Sequence, residues 1–157
     1  MEKTNVMRIL EQNKIKYNSY YYGDTDAISG IEVASVLGQD FRRVFKTLVT
    51  VSSSKRYYVF MLPVDKELDL KKASKTVGEK SVSMLPSKEL LKITGYIHGG
   101  CSPIGMKKKF PVVVDESAKQ FDTIIFSAGK IGYQVETSVI DLEEKLQYSF
   151  AAIVEER

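Results

Sequence analysis

Apolar positions recur with helical spacing in five stretches of this chain. The stretches carry the residues that begin and end helices, namely a serine or threonine before the first turn and a glycine after the last. They predict an opening helix capped by Thr4, helices over 30–37, 70–77 and 87–94, and a final amphipathic helix. We expect Ser87 to cap the fourth helix, and Ser138 to cap the fifth in a variant capping box with Asp141.

Runs rich in β-branched and aromatic residues lie between the helices and predict strands. Residues 52–55 form a short polar turn between two of these runs, which predicts a hairpin. Because strands and helices do not alternate regularly, we predict an α+β fold, in which a mixed, curved sheet forms a barrel-like core surrounded by helices. The predicted strands cover residues 17–22, 44–51, 57–62, 112–114, 123–126, 133–136 and 151–154, the last as an edge strand.

The composition indicates one cytoplasmic domain over residues 1–157. A hydrophobic content of 43% supplies a sizeable core, while no apolar run is long enough to span a bilayer and the N-terminus lacks a signal pattern. The single cysteine, Cys101, excludes an internal disulfide. With one histidine, His98, it is too few for a zinc site, which needs about four ligands. We expect neither a metal nor a cofactor.

The net charge of +3 is too small to identify a nucleic-acid partner. What matters is where basic residues cluster, and the densest run is Lys107-Lys108-Lys109. Such a run is usually a solvated surface. Beside a ligand-binding loop, it is also suited to contact the phosphates of a polynucleotide.

Lys46 interrupts an otherwise apolar strand and shares a face with Val44 and Leu48. A lysine on an apolar face extends its amine to solvent, pairs with an acid, or lines a polar cavity. Spacing alone slightly favours an edge-strand lysine that discourages aggregation. The alternative is a cavity lysine, whose fixed charge suits a phosphate or a developing oxyanion.

Adjacent glycines mark the loop at 96–105. Gly99 and Gly100 allow a ligand to approach the backbone closely, so that exposed amides can hold an anion or a carbonyl oxygen. The loop matches neither a phosphate-binding P-loop nor a dinucleotide fingerprint. His98 and Cys101 do not form a convincing catalytic pair, because no acid orients the histidine; Cys101 is better explained as a small apolar loop residue. Further along, Ser127 is either a pocket hydroxyl at a strand end or a hairpin cap.

Four segments, in this order and at these separations, resemble the YbaK/EbsC family of aminoacyl-tRNA deacylases. They also resemble the related editing domain inserted in bacterial prolyl-tRNA synthetases. The resemblance runs along nearly the whole chain. The segments are Val44-Phe45-Lys46-Thr47-Leu48, Leu68-Asp69-Leu70-Lys71-Lys72, the glycine loop from Gly95-Tyr96 through Gly99-Gly100-Cys101-Ser102-Pro103-Ile104-Gly105, and Ser127-Ala128-Gly129-Lys130.

The resemblance implies a barrel-like mixed sheet and the removal of cysteine from cysteinyl-tRNA(Pro). It makes Lys46 the pocket lysine that contacts the 3′-terminal adenosine of the tRNA, and places Gly99, followed by Gly100, opposite the aminoacyl carbonyl. The remaining substrate-binding positions are Tyr20, Ser29, Ser102, Ser127 and Gln134. Two of them depart from the family pattern, because Ser29 replaces an aromatic residue and Gln134 an acidic one. These departures bear on amino-acid specificity.

The implied mechanism has no nucleophile from the enzyme. In cysteine-editing members the thiol of the substrate attacks its own ester, while water attacks in alanine-editing relatives. The implied partners are an aminoacyl-tRNA and prolyl-tRNA synthetase in a ternary complex. Two alternatives stay open: a water-using deacylase for alanine or serine, and a non-catalytic module that binds tRNA or a synthetase.

Overall fold

The computed structural model of the chain describes residues 2–156. Two short 3₁₀ turns, Phe41–Arg43 and Glu116–Gln120, accompany the regular elements. None of the helices in the described part of the chain is long and apolar enough to cross a membrane. The helices are α1 (Asn5–Gln12), α2 (Gly30–Val36), α3 (Leu70–Val77), α4 (Ser87–Thr94) and α5 (Val139–Leu146).

The strands are β1 (Tyr17–Tyr21), β2 (Phe45–Ser52), β3 (Tyr57–Pro63), β4 (Val82–Met84), β5 (Val112–Asp115), β6 (Thr123–Ser127), β7 (Tyr133–Ser138) and β8 (Ser149–Ala151). They form two sheets. The smaller has the order β1–β7–β6 and is antiparallel throughout. The larger has the order β4–β2–β3–β5–β8 and is mixed, because β5 runs parallel to both β3 and β8.

The main core lies between the two sheets and is closed by helices. Leu10 of α1, Phe45 of β2, Val135 of β7 and Leu142 of α5 all belong to it and are at most 2% exposed. A second cluster, which includes Phe60, covers the other face of the large sheet beneath α3. The large sheet is therefore apolar on both faces, as expected for a sheet that is covered on both sides.

The helix ends largely follow the predicted chemistry. The Thr4 hydroxyl accepts a hydrogen bond from the amide of Met7 at 3.3 Å, and Ser138 does the same for Asp141 at 3.3 Å. The prediction of Ser87 as a cap is wrong, because Pro86 occupies the N-cap position of α4 and makes no side-chain capping bond. Its fixed φ places the helix start directly after the proline, so that Ser87 falls inside the first turn.

The predicted α+β fold is confirmed, with two local differences. Strand β4 was not predicted, and the last strand is Ser149–Ala151, while Val154 makes an isolated bridge to Leu68. The two sheets meet at a parallel bridge between Val44 and Ile125. Barrel-like closure of the sheets stays a prediction, because in the described residues they remain two separately hydrogen-bonded sheets.

Candidate active site

Three predicted pocket residues form one row across the small sheet. Gln134 on β7 lies directly opposite Tyr20 on β1 and directly opposite Ser127 on β6. Residues opposite one another on paired strands project from the same face, so the three side chains share one surface. This face lies away from the main core, since Phe126 and Val135, which alternate with the row, are buried in that core.

Lys46 continues this row from the large sheet. Its half-buried side chain shares a face with Val44 and with Leu62, its cross-strand partner, which is 0% exposed. The isolated parallel bridge between Val44 and Ile125 joins the two sheets two residues before Lys46 and Ser127, which lie on the same sides of their strands as the bridged pair. Within residues 2–156 the Lys46 ammonium makes no hydrogen bond or ion pair, and its role as a cavity lysine stays a prediction.

The glycine loop reaches the same region through the turn after β6. A Cβ atom added at Gly100 would lie 3.3 Å from the backbone nitrogen of Ile131, so the two segments pack backbone to backbone. Gly99 has a φ of +89°, which favours glycine, and is exposed. The Gly100 amide is occupied by the Ile97 carbonyl at 3.0 Å. Of these two amides, Gly99 N–H is therefore the one left to bind a ligand in the described structure.

Tyr96 joins the glycine loop to the segment that follows β6. Its hydroxyl donates a hydrogen bond to the Ile104 carbonyl. Its ring also lies against two glycines, since a Cβ at Gly105 would come within 2.8 Å of the Tyr96 hydroxyl and one at Gly129 within 3.1 Å of the ring. Burial raises the pKa of Tyr96 to about 12, so its hydroxyl remains a donor at neutral pH. The sequence pattern gave no signal for this contact.

Cys101 and Ser102, in the glycine loop, are packed into the protein. Burial raises the pKa of the Cys101 thiol to about 12, which removes the thiolate that nucleophilic attack needs. The prediction of Cys101 as a small apolar residue is confirmed by its packing against the main core. Ser102 is 0% exposed, and its hydroxyl accepts a weak hydrogen bond from the Ile104 amide at 3.4 Å. A contact between Ser102 and substrate stays a prediction.

Ser127 fits both of its proposed roles. Its hydroxyl oxygen accepts a hydrogen bond from the Gly129 amide at 3.1 Å, which is the local cap expected at a strand end. A serine hydroxyl keeps its own proton for donation while it accepts. The cap therefore holds the hydroxyl in place at the end of the Tyr20–Gln134–Ser127 row.

A partly buried ionic network supports Tyr20 and was not predicted from the sequence. The Glu136 carboxylate accepts hydrogen bonds from the Tyr20 hydroxyl, from Thr123 at 2.5 Å and from Arg43 at 2.7 Å. Burial acts to raise the pKa of Glu136, but these hydrogen bonds and the Arg43 charge outweigh it and lower the pKa. The pKa of Tyr20 is raised, chiefly by its hydrogen bond to Glu136. Glu136 could have been found from the sequence, because it lies two residues from Gln134 on a predicted strand and therefore projects from the same face.

The two residues that depart from the family pattern, Gln134 and Ser29, have different environments. The buried Gln134 accepts a hydrogen bond from the Gln39 side chain at 2.8 Å, so its amide is held in place. Ser29 is exposed and caps α2, accepting from the Glu32 amide at 3.2 Å while Glu32 accepts from the Ser29 amide at 3.0 Å. Ser29 therefore has a capping role, and its contact with substrate stays a prediction.

The lysine run lies at the base of the glycine loop. Lys107, Lys108 and Lys109 are exposed, and the Lys107 amide donates to the Thr94 carbonyl at 3.0 Å, which closes the loop. The Lys107 ammonium reaches the Lys92 carbonyl at 3.4 Å, near the end of α4. The structure thus brings the run next to the loop, while its role in tRNA binding stays a prediction.

Comparison with known proteins identifies the family. Residues 26–145 match the model of the aminoacyl-tRNA editing domain, and this range includes Lys46, the glycine loop and Ser127. The chain belongs to the aminoacyl-tRNA editing domain family. The resemblance drawn from the four sequence segments is therefore confirmed, and the side chains assembled around Lys46 lie in an editing domain.

This editing domain is similar both to a free-standing protein and to part of a synthetase. It is 50% identical, over 86% of its length and 83% of the relative's, to an Enterococcus faecalis protein, EbsC, provisionally named a Cys-tRNA(Pro)/Cys-tRNA(Cys) deacylase. It is 25% identical, over 73% of its length, to the proline–tRNA ligase of Lactobacillus gasseri, of which the match covers 20%. Most of the chain thus corresponds to most of EbsC and to a fraction of the ligase.

A solved structure has the same fold. A protein provisionally described as a trans-editing enzyme for prolyl tRNA synthetase superposes with a TM-score of 0.82 at 23% identity, over 96% of this chain and 95% of that one. At this identity the likeness establishes the fold alone.

Proposed function

We propose that this editing domain is a trans-acting deacylase that removes cysteine from mischarged tRNA(Pro). The observation that carries the proposal is the 50% identity to the Enterococcus faecalis protein named as a deacylase for Cys-tRNA(Pro) and Cys-tRNA(Cys). The site supports it, because it offers a lysine without a partner among residues 2–156, a row of polar side chains and an available backbone amide.

Each group has a role suited to its chemistry. Lys46 supplies positive charge to the 3′-terminal nucleotide, and Gly99 N–H donates to the ester carbonyl as negative charge develops there. Tyr20, Ser127 and Gln134 line the space for the aminoacyl group and fix its orientation. Ser29 and Ser102 border this space in the proposal, and Gly100 sets the position of Gly99 by packing on Ile131.

The substrate supplies the nucleophile. The cysteine sulfur attacks the ester carbonyl carbon, so that a carbon–sulfur bond forms and the bond to the ribose oxygen breaks. The thiol proton ends on that ribose oxygen, and water then opens the resulting cysteine thiolactone to free cysteine. The enzyme's part is positioning and stabilisation of the oxyanion. The raised pKa of Cys101 agrees with this assignment, because that thiol stays protonated at neutral pH.

We propose that the chain works as a single domain, residues 1–157, in the cytoplasm. Its two sheets would wrap one core as a partly closed barrel, joined at the Val44–Ile125 bridge. We also propose that Lys107, Lys108 and Lys109 contact tRNA phosphates, and that prolyl-tRNA synthetase joins a ternary complex. A small domain has limited surface for reading a whole tRNA, and the similarity to part of a proline–tRNA ligase supports this partner.

A deacylation assay tests the function directly. The purified chain is mixed with cysteinyl-tRNA(Pro), and release of cysteine is compared with release from prolyl-tRNA(Pro) and with the spontaneous rate. We expect rapid loss of cysteine, with proline left attached. No acceleration on cysteinyl-tRNA(Pro), with or without prolyl-tRNA synthetase, would contradict the proposal and favour a non-catalytic binding module.

A further inference from the structure

A second concave surface lies away from the Tyr20–Gln134–Ser127 row. It is a groove of about 720 Å³ between the turn of the β2–β3 hairpin, the end of α4 and the segment after the lysine run. Its apolar part includes the rings of Tyr57 and Phe110, whose centroids are 5.5 Å apart at 61°. Its charged lining residues are all basic: Lys55, Arg56, Lys92, Lys107 and Lys108.

The charge of this groove is only partly offset from within the protein. The acid near Arg56 is Glu79, whose carboxylate is engaged by the Tyr58 hydroxyl at 2.6 Å and by Ser54 at 2.8 Å. Those hydrogen bonds, led by the one from Tyr58, lower the pKa of Glu79 and keep it ionised. No acidic residue lines the groove in the described part of the chain, and Glu79 acts on Arg56 alone of the five basic residues, so the groove carries excess positive charge.

An apolar floor with a basic rim matches the chemistry of a ribose–phosphate strand. Phosphates need cations along the rim, and bases and riboses present flat or apolar faces to aromatic rings. An acidic protein segment would satisfy the cations but has no regular planar groups for the rings. The combination therefore favours RNA over an acidic polypeptide.

The groove is connected to the candidate active site through the glycine loop. Lys92 and Lys107 both line the groove, and they lie on the chain segments that enter and leave the loop. Along the hairpin, Tyr57 pairs with Val51, five residues or about 17 Å from Lys46, and the odd spacing places the Tyr57 and Lys46 side chains on opposite faces of the large sheet.

We propose that this groove binds the acceptor arm of the tRNA whose 3′ end occupies the Lys46 site. The proposal rests on the proposed function and adds a binding site to it, including Arg56 and Lys92 outside the lysine run. Phosphates of the arm lie along the basic rim, and a base or ribose rests on Tyr57 and Phe110.

The test replaces two rim charges and compares them with two charges elsewhere. The variant Arg56→Gln/Lys92→Gln is matched by Lys71→Gln/Lys75→Gln, which removes two exposed lysines of α3. Binding of uncharged tRNA(Pro) is measured over a series of salt concentrations. We expect the slope of log affinity against log salt to fall by about 1.4–1.8 for the groove variant and to stay unchanged for the control. Equal slopes for the groove variant and the unaltered chain would overturn the proposal.

Deacylation separates this proposal from the function on which it rests. We expect the groove variant to need more cysteinyl-tRNA(Pro) for half-saturation while its limiting single-turnover rate stays the same. If the unaltered chain deacylates and the slopes do not differ, the groove proposal fails alone. If it does not deacylate but the slopes differ as expected, the proposed function fails and the groove stands. Polyglutamate binding is measured on the same two proteins as a probe for an acidic polypeptide. If the groove variant bound polyglutamate more weakly than the unaltered chain but bound tRNA(Pro) equally well, RNA would be overturned as the ligand.

Discussion

The hydroxyl of Tyr20 donates a hydrogen bond to the carboxylate of Glu136, two residues along β7 from Gln134. Arg43 completes the arrangement with an ion pair to Glu136 at 2.7 Å, in which the Glu136 side chain is 12% exposed. A tyrosine in the candidate pocket is thus fixed by an acid that lies outside the set of expected pocket residues. The Tyr20 hydroxyl cannot move away from Glu136 without breaking a charge-assisted hydrogen bond.

Glu136→Gln should destabilise the protein in a pH-dependent way. The folded-state pKa of Glu136 is lowered, so its stabilising contribution is fully present above the unfolded-state pKa and is lost as pH falls through the folded-state value. At pH 7 we expect a loss of about 1.5–3 kcal/mol, typical of hydrogen bonds to a charged group. Chemical unfolding of both proteins should show this difference shrinking as the pH drops below about 4.5.

An exposed carboxylate provides the control for that measurement. Glu155→Gln, at an exposed position near the C-terminus, should leave the free energy of unfolding nearly unchanged across the same range. A Glu136→Gln protein as stable as the unaltered chain at pH 7 would mean that the network contributes nothing to the fold.

Most of the helices and strands were predicted from local sequence patterns, because each has its own characteristic spacing of apolar residues or its own turn. Leu70–Val77 has helical spacing and ends at Gly78, whose φ is +72°, and the hairpin follows two apolar runs joined by a polar turn. Strand β4 was not predicted, because three residues are too few for the alternation of a strand to be recognised in the sequence. The range of α4 was predicted correctly, but its cap was assigned to the wrong residue, because Ser87, a favourable capping residue, follows Pro86, which occupies the N-cap position.

The site was predictable only where a residue conflicted with its surroundings. Lys46 was visible as a charge on an apolar strand, and Gly99 as part of an unusual loop. The row of Tyr20, Gln134 and Ser127 depends on pairing between strands far apart in sequence, which no local period encodes. Arg43 and Tyr96 likewise act through partners 93 and 8 residues away, and side-chain contacts of this kind follow only from the folded chain.

Lys46→Ala should remove deacylation while the protein stays folded. The half-buried amine makes no internal bond among residues 2–156, so its loss leaves no unpaired partner behind. We expect a fall of about 10²–10³ in the single-turnover rate, as for the loss of one charge-stabilising group. The exposed Lys16→Ala is the matched control. Normal turnover by a folded Lys46→Ala protein would remove Lys46 from the site.

Cys101→Ser should retain substantial activity. Burial raises the pKa of this thiol to about 12, so it is neither a nucleophile nor a base at neutral pH. Cys101→Ala is made alongside it, because a serine hydroxyl in this partly apolar position carries its own desolvation cost. If both folded variants lost all turnover on cysteinyl-tRNA(Pro), a covalent mechanism through Cys101 would have to replace the one proposed.

Replacing Lys107, Lys108 and Lys109 with alanine should weaken tRNA binding and reduce its dependence on salt. Each lost phosphate contact lowers the slope of log affinity against log salt by about 0.9 at most, and by less on single strands. Binding is followed on uncharged tRNA(Pro), with the exposed pair Lys71 and Lys75 replaced as control. An unaltered slope would make the run an ordinary solvated surface.

The source of the nucleophile is tested with three esters on one tRNA(Pro) body. Alanyl- and seryl-tRNA carry the same ester without a thiol, and both amino acids are small enough for a pocket that admits cysteine. An attacking group held within the substrate has an effective concentration that water cannot match. Single-turnover deacylation of the cysteinyl ester should therefore be more than about tenfold faster, a barrier difference above about 1.4 kcal/mol. Comparable rates for alanine and cysteine would exclude the thiol mechanism and point to a bound water, with Gly99 N–H still available for the carbonyl oxygen.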